Sequence, residues 1–426
     1  MTAPTDVDVA ILGAGPKGVS LGVHLSRCGV RDLVVLERDI VVGTWRSAYA
    51  GTSPTRTGMY LSDTIVPGDC DISPLPRYAR EHPDMDADAY AIDDLPKEVL
   101  QDYYRDAAAA AGVPVELGRT VMRVTPVAGG FAVLDGQGQE FTARCVVDAT
   151  GIVWSKRWPR WSTRIPEDRC YHSIGHGVLG DRGDLTGARI LVVGGGHATP
   201  DIAVRMAELG ARVTMTVRNK RLQQQLLPYA HEFLSERFQR IYRRCDLPTR
   251  YRMLIHVHQS GPRVTRRSYE GLVDFLSRQG SGAGGHIEVA LGTTVEGVRV
   301  HGDEIHTQLS NGWTRDFDFV ICATGFHASL PHSAAYATPQ GFWDNRVHGG
   351  YPIIDDRYRL RDEDSFFVIG YLAQLGARGP IDSILYDTQN TTRVVTAAVR
   401  EALSRRLPPT AFTSNLAAAI GKGGLG

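Results

Sequence analysis

No net charge remains in this chain, because 47 Lys plus Arg balance 47 Asp plus Glu. That balance gives no general attraction to nucleic acid or to an anionic membrane. Nor does any apolar run approach the roughly 20 residues that span a bilayer. The first residues, Met1-Thr2-Ala3-Pro4-Thr5-Asp6, lack the basic and apolar regions of a signal peptide. A cytoplasmic protein is expected. Cysteine is scarce, with six residues, Cys28, Cys70, Cys145, Cys170, Cys245 and Cys322. No two have C-x-x-C spacing, which argues against a disulfide scaffold, a zinc site and the spacing of many flavin disulfide reductases. Packed free thiols are expected instead. His231, His256, His258 and His286 have no i,i+4 partner with a carboxylate in metal-binding order, so no metal is expected. No Ser-His-Asp or Cys-His arrangement can be placed from the sequence.

What the chain does have, it has twice. Its 426 residues, 42% hydrophobic, suffice for two or three domains. The first half opens with an apolar strand, Val7 to Leu12. A glycine turn, a helix to about Cys28 and a strand Leu33 to Glu37 follow. A helix is expected from Pro96 to Ala111, with Pro at its first turn and Gly112 past its end. Short strands are expected at Val121–Val127, Phe131–Leu134 and Phe141–Val147, before Ala149-Thr150-Gly151. The second half repeats the order. It runs through a strand Arg189–Val193, Gly194-Gly195-Gly196, a helix to about Leu209 and a strand Val213–Val217. Helical patterns fill Leu222 to Gln279, with an apolar stripe of Leu234, Phe238, Ile241 and Cys245 in one of them. Strands then recur at Ile287–Ala290, Val295–Val300, Ile305–Leu309 and Phe317–Cys322, before Ala323-Thr324-Gly325. A strand Phe366–Ile369 and a helix from about Asp382 to Arg405 complete the chain. Two strand–glycine–helix–strand units imply an α/β fold with two dinucleotide-binding, Rossmann-like domains. The C-terminal strand and helix should return to the first domain, so the second is inserted in it. The expected boundaries are 1–165, 166–325 with a helical insertion at about 222–279, and 326–426.

Gly13-Ala14-Gly15-Pro16-Lys17-Gly18 fits G-x-G-x-x-G between a strand and a helix. The first glycine permits the tight turn, the second lets the backbone approach a pyrophosphate, and the third allows close helix–strand packing. Pro16 suits a first helical turn. Glu37 ends the next strand, where an acid bonds ribose hydroxyls. In the second turn Gly194 and Gly196 take the first two places and Thr199 the third. The next strand ends at Arg218 rather than at an acid, with Lys220 and Arg221 close by. A cation there suits the 2′-phosphate of NADP. Arg237, Arg240, Arg243 and Arg244 read as solvated residues flanking an apolar stripe.

These residues resemble the two-dinucleotide flavoprotein monooxygenases, which comprise flavin-containing monooxygenases, Baeyer–Villiger monooxygenases and lysine/ornithine N-hydroxylases. Gly43-Thr44-Trp45-Arg46 followed by Tyr49-Ala50-Gly51 resembles the G-G-T-W…Y-P-G segment beside FAD. Gly194-Gly195-Gly196-His197-Ala198-Thr199-Pro200-Asp201-Ile202-Ala203 resembles the NADPH turn, with His197 in place of the usual Ser. Ala323-Thr324-Gly325-Phe326 matches A-T-G-Y/F. The Baeyer–Villiger fingerprint F-x-G-x-x-x-H would have its His at His172, but Pro166 and Asp168 occupy its Phe and Gly places. Pro228 to Phe233, Leu247-Pro248 and Arg250 to Leu254 are nearer to the N-hydroxylases, as are Met59 to Ser62 and Gly379 to Leu385.

The resemblance implies FAD and NADPH as cofactors, and an oxygen atom passed from a flavin hydroperoxide to the nitrogen of a primary amine or amino acid. It places FAD or NADPH contacts at Met59, Thr150, Gly151, Gly325, Asp382 and Leu385, beside those of the two turns. His231, where the family has a substrate-holding Asn, Glu232 and Arg263 are the candidate substrate contacts, and no catalytic side chain is assigned. The expected partners are a small-molecule substrate and O2, with no nucleic acid and no membrane, and a homo-oligomer is left open. Baeyer–Villiger or sulfur oxygenation, and an NAD(P)H-dependent flavin reductase or oxidase, stand as alternatives.

Overall fold

The computed structural model describes residues 7–42, 95–175, 183–196, 198–224, 235–259, 266–279, 285–332, 334–376 and 388–405. Shorter stretches at 56–57, 65, 68–73, 75–81, 177–181, 263–264 and 378–379 are also described. Two parallel sheets organise it. In the first, β1 (Val7–Leu12) lies between β2 (Leu33–Leu36) and β6 (Glu140–Asp148), parallel to both, with Val9 level with Leu33 and Cys145. Strand β3 (Val115–Glu116) extends the sheet beyond β2. Strands β4 (Val121–Val127) and β5 (Gly130–Asp135) run antiparallel beyond β6 as a meander. β2 is buried at every position, as a strand covered on both faces must be.

The second sheet repeats this plan. β8 (Arg189–Val193) lies between β9 (Arg212–Val217) and β14 (Phe319–Cys322), and β10 (His286–Leu291) extends it beyond β9. The meander of this half, β11 (Val295–His301), β12 (Glu304–Leu309) and β13 (Thr314–Phe317), forms a separate three-stranded sheet. One strand was expected from Phe317 to Cys322, and two are found. Asp318 breaks the run, because its carboxylate accepts the Arg189 backbone N–H at 2.7 Å and pairs with the Arg189 guanidinium at 2.7 Å. In the first half the nine residues of β6 serve both meander and parallel sheet unbroken.

Each sheet gains one further parallel strand, and only the first takes it from beyond the other sheet in the chain. β7 (Cys170–His172) pairs with β14 in the second sheet, and β15 (Phe366–Val368) pairs with β6 in the first. Helix α7 (Thr388–Ser404) places Val395, Ala398, Val399 and Ala402 in the same core as Val9, Ile11, Val19 and Phe366. The chain therefore returns to its first sheet after building the second. The flanking helices are α1 (Pro16–Arg27) and α2 (Lys97–Ala110) in the first half and α3 (Ala198–Glu208) in the second.

The helical insertion contains α4 (Glu236–Arg244), α5 (Leu247–Gln259) and α6 (Arg266–Arg278). The sequence pattern predicts helix throughout this segment, but two-residue strands at Gln223–Gln224 and Arg263–Val264 pair within it. The apolar stripe expected on α4 is not the buried face. Ile241 is 51% exposed, whereas Gln239 and Tyr242 are buried. The Tyr242 hydroxyl donates to the Gln374 carbonyl at 3.0 Å, which gives that face a polar tertiary partner. Arg237, Arg240, Arg243 and Arg244 are exposed, as read. The C-terminal helix begins at Thr388, and residues 380–387 lie outside the described residues. No described helix is long and apolar enough to cross a membrane.

Candidate functional site

Both glycine turns are closed by the same three-residue signature from a distant strand. Gly13 has φ +102°, and a Cβ there would lie 2.9 Å from the Ala149 carbonyl oxygen. Gly194 has φ +151°, and its Cβ would lie 2.2 Å from the Ala323 carbonyl oxygen. Such a φ disfavours any side chain, and the close approach forbids one. The hydrogen bonds repeat as well. The Gly13 N–H donates to Leu36 O at 2.8 Å, and the Ala149 N–H to Leu12 O at 2.9 Å. Their counterparts are Gly194 to Thr216 O at 3.0 Å and Ala323 to Val193 O at 2.8 Å. Sequence reading placed Ala-Thr-Gly at the end of each half, and the structure sets its alanine against the first glycine of each turn.

The remaining glycines of the first turn have different duties. A Cβ on Gly18 would lie 2.1 Å from the Gly13 carbonyl oxygen, so this position is fixed by packing inside the protein. A Cβ on Gly15 would meet no protein atom within 4 Å. Gly15 caps α1, Pro16 follows, and the helix N-terminus faces that open space, the geometry that receives a phosphate. Lys17 is buried in the same turn. The space beside Gly15 is the fit that a dinucleotide pyrophosphate requires. In the second turn Thr199 is fully buried at the third-glycine place, and its hydroxyl finds no hydrogen-bond partner among the described residues. Gly196 is half-buried beside it, and His197 lies outside the described residues.

Glu37 follows β2 and is held before any ligand arrives. Its carboxylate accepts the Ala14 N–H at 2.8 Å and the Asp39 N–H at 3.0 Å. Each oxygen keeps a further lone pair for a ribose hydroxyl. Beside it the Arg38 guanidinium lies 4.0 Å over the Trp154 ring, whose N–H donates to Thr150 O at 3.3 Å. Strand register gives the second site a sharper reading than sequence did. Leu12 is level with Leu36 and Val193 with Thr216, so Val217 is the counterpart of Glu37 and Arg218 lies one residue further on. Val217 is buried, whereas Arg218, Lys220 and Arg221 are exposed. An apolar residue thus replaces the acid, and a cation stands at its shoulder.

Under the first Ala-Thr-Gly lies a buried carboxylate that sequence reading missed. Asp148 ends β6. It accepts the Thr150 N–H at 3.0 Å, the Thr150 hydroxyl at 2.7 Å and the Tyr336 hydroxyl at 2.7 Å. Burial is the largest influence on it and holds its carboxyl above the ordinary carboxylate range, against the pull of these donors. A raised carboxyl binds its proton more tightly in the folded state. That contribution to stability is therefore present below the unfolded value and lost as pH rises through the folded one. Tyr336→Phe removes one donor from a buried carboxylate. It should cost about 1.5–3 kcal/mol at pH 8, read by urea unfolding. An unchanged midpoint would show that the hydroxyl is dispensable.

The two crossings between the sheets run side by side. The Arg157 N–H donates to Gly325 O at 2.9 Å, the His327 N–H to Ser155 O at 3.1 Å, and the Thr324 hydroxyl to Arg157 O. His172 locks this crossing. Its Nε2 donates to Gly325 O at 3.1 Å, and Nδ1 accepts the Ile174 N–H at 3.2 Å, so its tautomer is set by its partners. Its ring packs between Trp158 and Phe326, with centroids at 5.4 and 5.2 Å.

Gly43, Thr44, Trp45, Met59, His231, Glu232, Asp382 and Leu385 lie outside the described residues, and of Arg263 only the backbone is described. The structure brings together Gly13, Gly15, Pro16, Lys17, Gly18, Glu37, Thr150 and Gly151 at one turn. It brings together Gly194, Gly196 and Arg218 at the other, with Gly325 at its Ala-Thr-Gly. All six cysteines are free; Cys145, Cys170 and Cys322 are buried, and Cys28, Cys70 and Cys245 are half-buried. Glu304, His306 and Asp316 place one ligand atom each within 4.8 Å of one another, a grouping that sequence spacing did not suggest.

Comparison with known proteins supports the geometry. The chain is 28% identical over 365 residues to an FAD-dependent urate hydroxylase of Xanthomonas campestris, covering 82% of this chain and 73% of that one. The reduced form of ornithine hydroxylase from Pseudomonas aeruginosa superposes with a TM-score of 0.74 at 20% identity, covering 94% of this chain and 100% of that one. L-lysine 6-monooxygenase from Pseudomonas syringae superposes with a TM-score of 0.72 at 18% identity, covering 93% and 99%. These two structures share the mixed α/β fold with two parallel sheets. Residues 10–254, which contain both glycine turns, match the family described as pyridine nucleotide-disulphide oxidoreductase, and the chain belongs to that family.

Proposed function

We propose that this chain is an FAD- and NADPH-dependent monooxygenase that hydroxylates the nitrogen of a primary amine or amino acid. The observation that carries the reading is the pair of matched turns, one with an acid at its ribose position and one with Val217 and Arg218 there. Full-length likeness to ornithine and lysine hydroxylases supports the amine class over the alternatives. FAD, when bound, supplies the redox and oxygen chemistry. The chain's own residues bind and orient. Gly13, Gly15, Pro16, Lys17 and Gly18 would cradle the FAD pyrophosphate, and Glu37 its ribose. Thr150 and Gly151, beside that turn, would also contact FAD, with Gly43, Thr44, Trp45, Met59, Asp382 and Leu385. Gly194, Gly196, His197 and Arg218 would hold NADPH, with Gly325 where the two halves meet. His231, Glu232 and Arg263 would face the substrate, and an Arg there suits a carboxylate bound through two parallel hydrogen bonds. Binding and orienting the two cofactors and the amine would contribute by positioning, and no side chain need act as a nucleophile.

The assay is hydroxylamine detection with NADPH, O2 and a panel of amines, beside ketones and thioethers. An amine should raise NADPH consumption and yield about one hydroxylamine per NADPH. Esters from ketones with no amine consumed would move the protein to Baeyer–Villiger chemistry. NADPH oxidation without any oxygenated product would make it a reductase or oxidase.

A further inference from the structure

A cluster at the far end of α1 takes no part in either nucleotide turn. His24 and Cys28 stand one helical turn apart, and Asp69 approaches from a separate segment. His24 Nδ1 lies 2.6 Å from Asp69 Oδ2, and His24 Nε2 lies 3.9 Å from Cys28 Sγ. The side chains of His24 and Asp69 are 14% and 7% exposed. Cys28 is half-buried and so open to a small reagent. The carboxylate fixes the imidazole tautomer by accepting from Nδ1, which turns the Nε2 lone pair toward the thiol. Carboxylate, imidazole and thiol thus stand in series, the order that activates a cysteine nucleophile.

We propose that Cys28 is a nucleophilic thiol, activated by His24 and Asp69, that exchanges with low-molecular-weight disulfides and so forms a modification site at the opposite end of α1 from the Gly15 turn. The Cys28 thiol proton passes to His24 Nε2. Sγ then attacks one sulfur of the disulfide. A new S–S bond forms, the old one breaks, and the departing sulfur leaves with its electron pair and takes the proton back from His24. Cys28 is oxidised and the released thiol is the reduced product. The twelve residues of α1 separate this thiol from the Gly15 cradle by roughly 18 Å. The other thiols lack this arrangement among the described residues. Cys145, Cys170 and Cys322 are buried, and Cys245 donates to the Ile241 carbonyl at 3.3 Å. Burial, with Asp69 and Asp71 beside it, pushes the Cys70 thiol up.

The test treats the native full-length protein with oxidised glutathione and maps the adduct by intact mass and peptide analysis. One glutathione should be found, on Cys28, and Cys28→Ser should remove it. His24→Gln and Asp69→Asn should slow the reaction roughly ten-fold or more, Asp69→Glu should restore part of the rate, and the circular dichroism spectrum should not change. Adduct on Cys70 or Cys245 ahead of Cys28 in the unaltered protein would overturn the proposal, whatever the variants do. An unchanged rate in a folded His24→Gln protein would also overturn it.

Discussion

Gly15→Val should yield a folded protein that holds no flavin. The reason lies in the unequal surroundings of three glycines in one turn. A side chain at Gly18 would collide with the Gly13 carbonyl oxygen at 2.1 Å, and one at Gly13 would press on Ala149 at 2.9 Å. Substitution at either place damages the protein itself. At Gly15 no protein atom lies within 4 Å of the added Cβ. The valine would therefore fill only the space that a pyrophosphate needs at the start of α1. The unaltered protein should purify yellow, with about one FAD per chain. The variant should be colourless, with an unchanged far-ultraviolet spectrum and no gain in Tm when FAD is added. Gly18→Ala makes the contrast, since it should unfold at lower temperature even without flavin. Full flavin occupancy in Gly15→Val would place the cofactor somewhere other than this turn.

Arg218→Ala should cost NADPH about ten-fold in affinity and leave NADH almost unchanged. Val217 is buried where the first site has Glu37, so no acid repels a 2′-phosphate. The Arg218 side chain is exposed and has no hydrogen bond or ion pair to the described residues. Its loss should not disturb the fold. Because the contact is open to solvent, the NADPH preference should shrink as salt rises. Lys220 and Arg221 stand close in sequence and would keep part of the attraction. Steady-state KM and stopped-flow flavin reduction with both nucleotides would measure the effect. Equal use of NADH and NADPH by the unaltered enzyme would reduce Arg218 to surface charge.

Both turns could be read from the sequence because the backbone itself dictates residue type there. A φ of +102° at Gly13 admits little but glycine, and the strand and helix on either side declare themselves by periodicity. The Ala-Thr-Gly signatures could be seen but not explained. Ala149 meets Gly13, and Ala323 meets Gly194, across more than a hundred residues of chain. Asp148 was hidden for the same reason, since its partner Tyr336 belongs to another part of the molecule. The stripe on α4 was misread because apolarity alone does not settle burial. Ser235 caps that helix by accepting the Phe238 N–H, and the tertiary bond from the Tyr242 hydroxyl to Gln374 goes with a helix that keeps Tyr242 inward and Ile241 outward. His24 and Cys28 stood in plain view at i,i+4 spacing, but the carboxylate that gives them meaning arrives 45 residues later.

The two crossings held together at Arg157 and Gly325 set how such a molecule can be rebuilt. Every strand of the second sheet lies between those residues in the chain, and every strand of the first lies outside them. Joining Lys156 directly to Phe326, which already face each other as a bridge pair, would excise one whole sheet and leave the other in its original strand order. A segment whose ends meet can be gained, lost or exchanged as a cassette. The architecture thus lets one nucleotide module be traded for another of different cofactor taste without rethreading the sheet that carries Gly15.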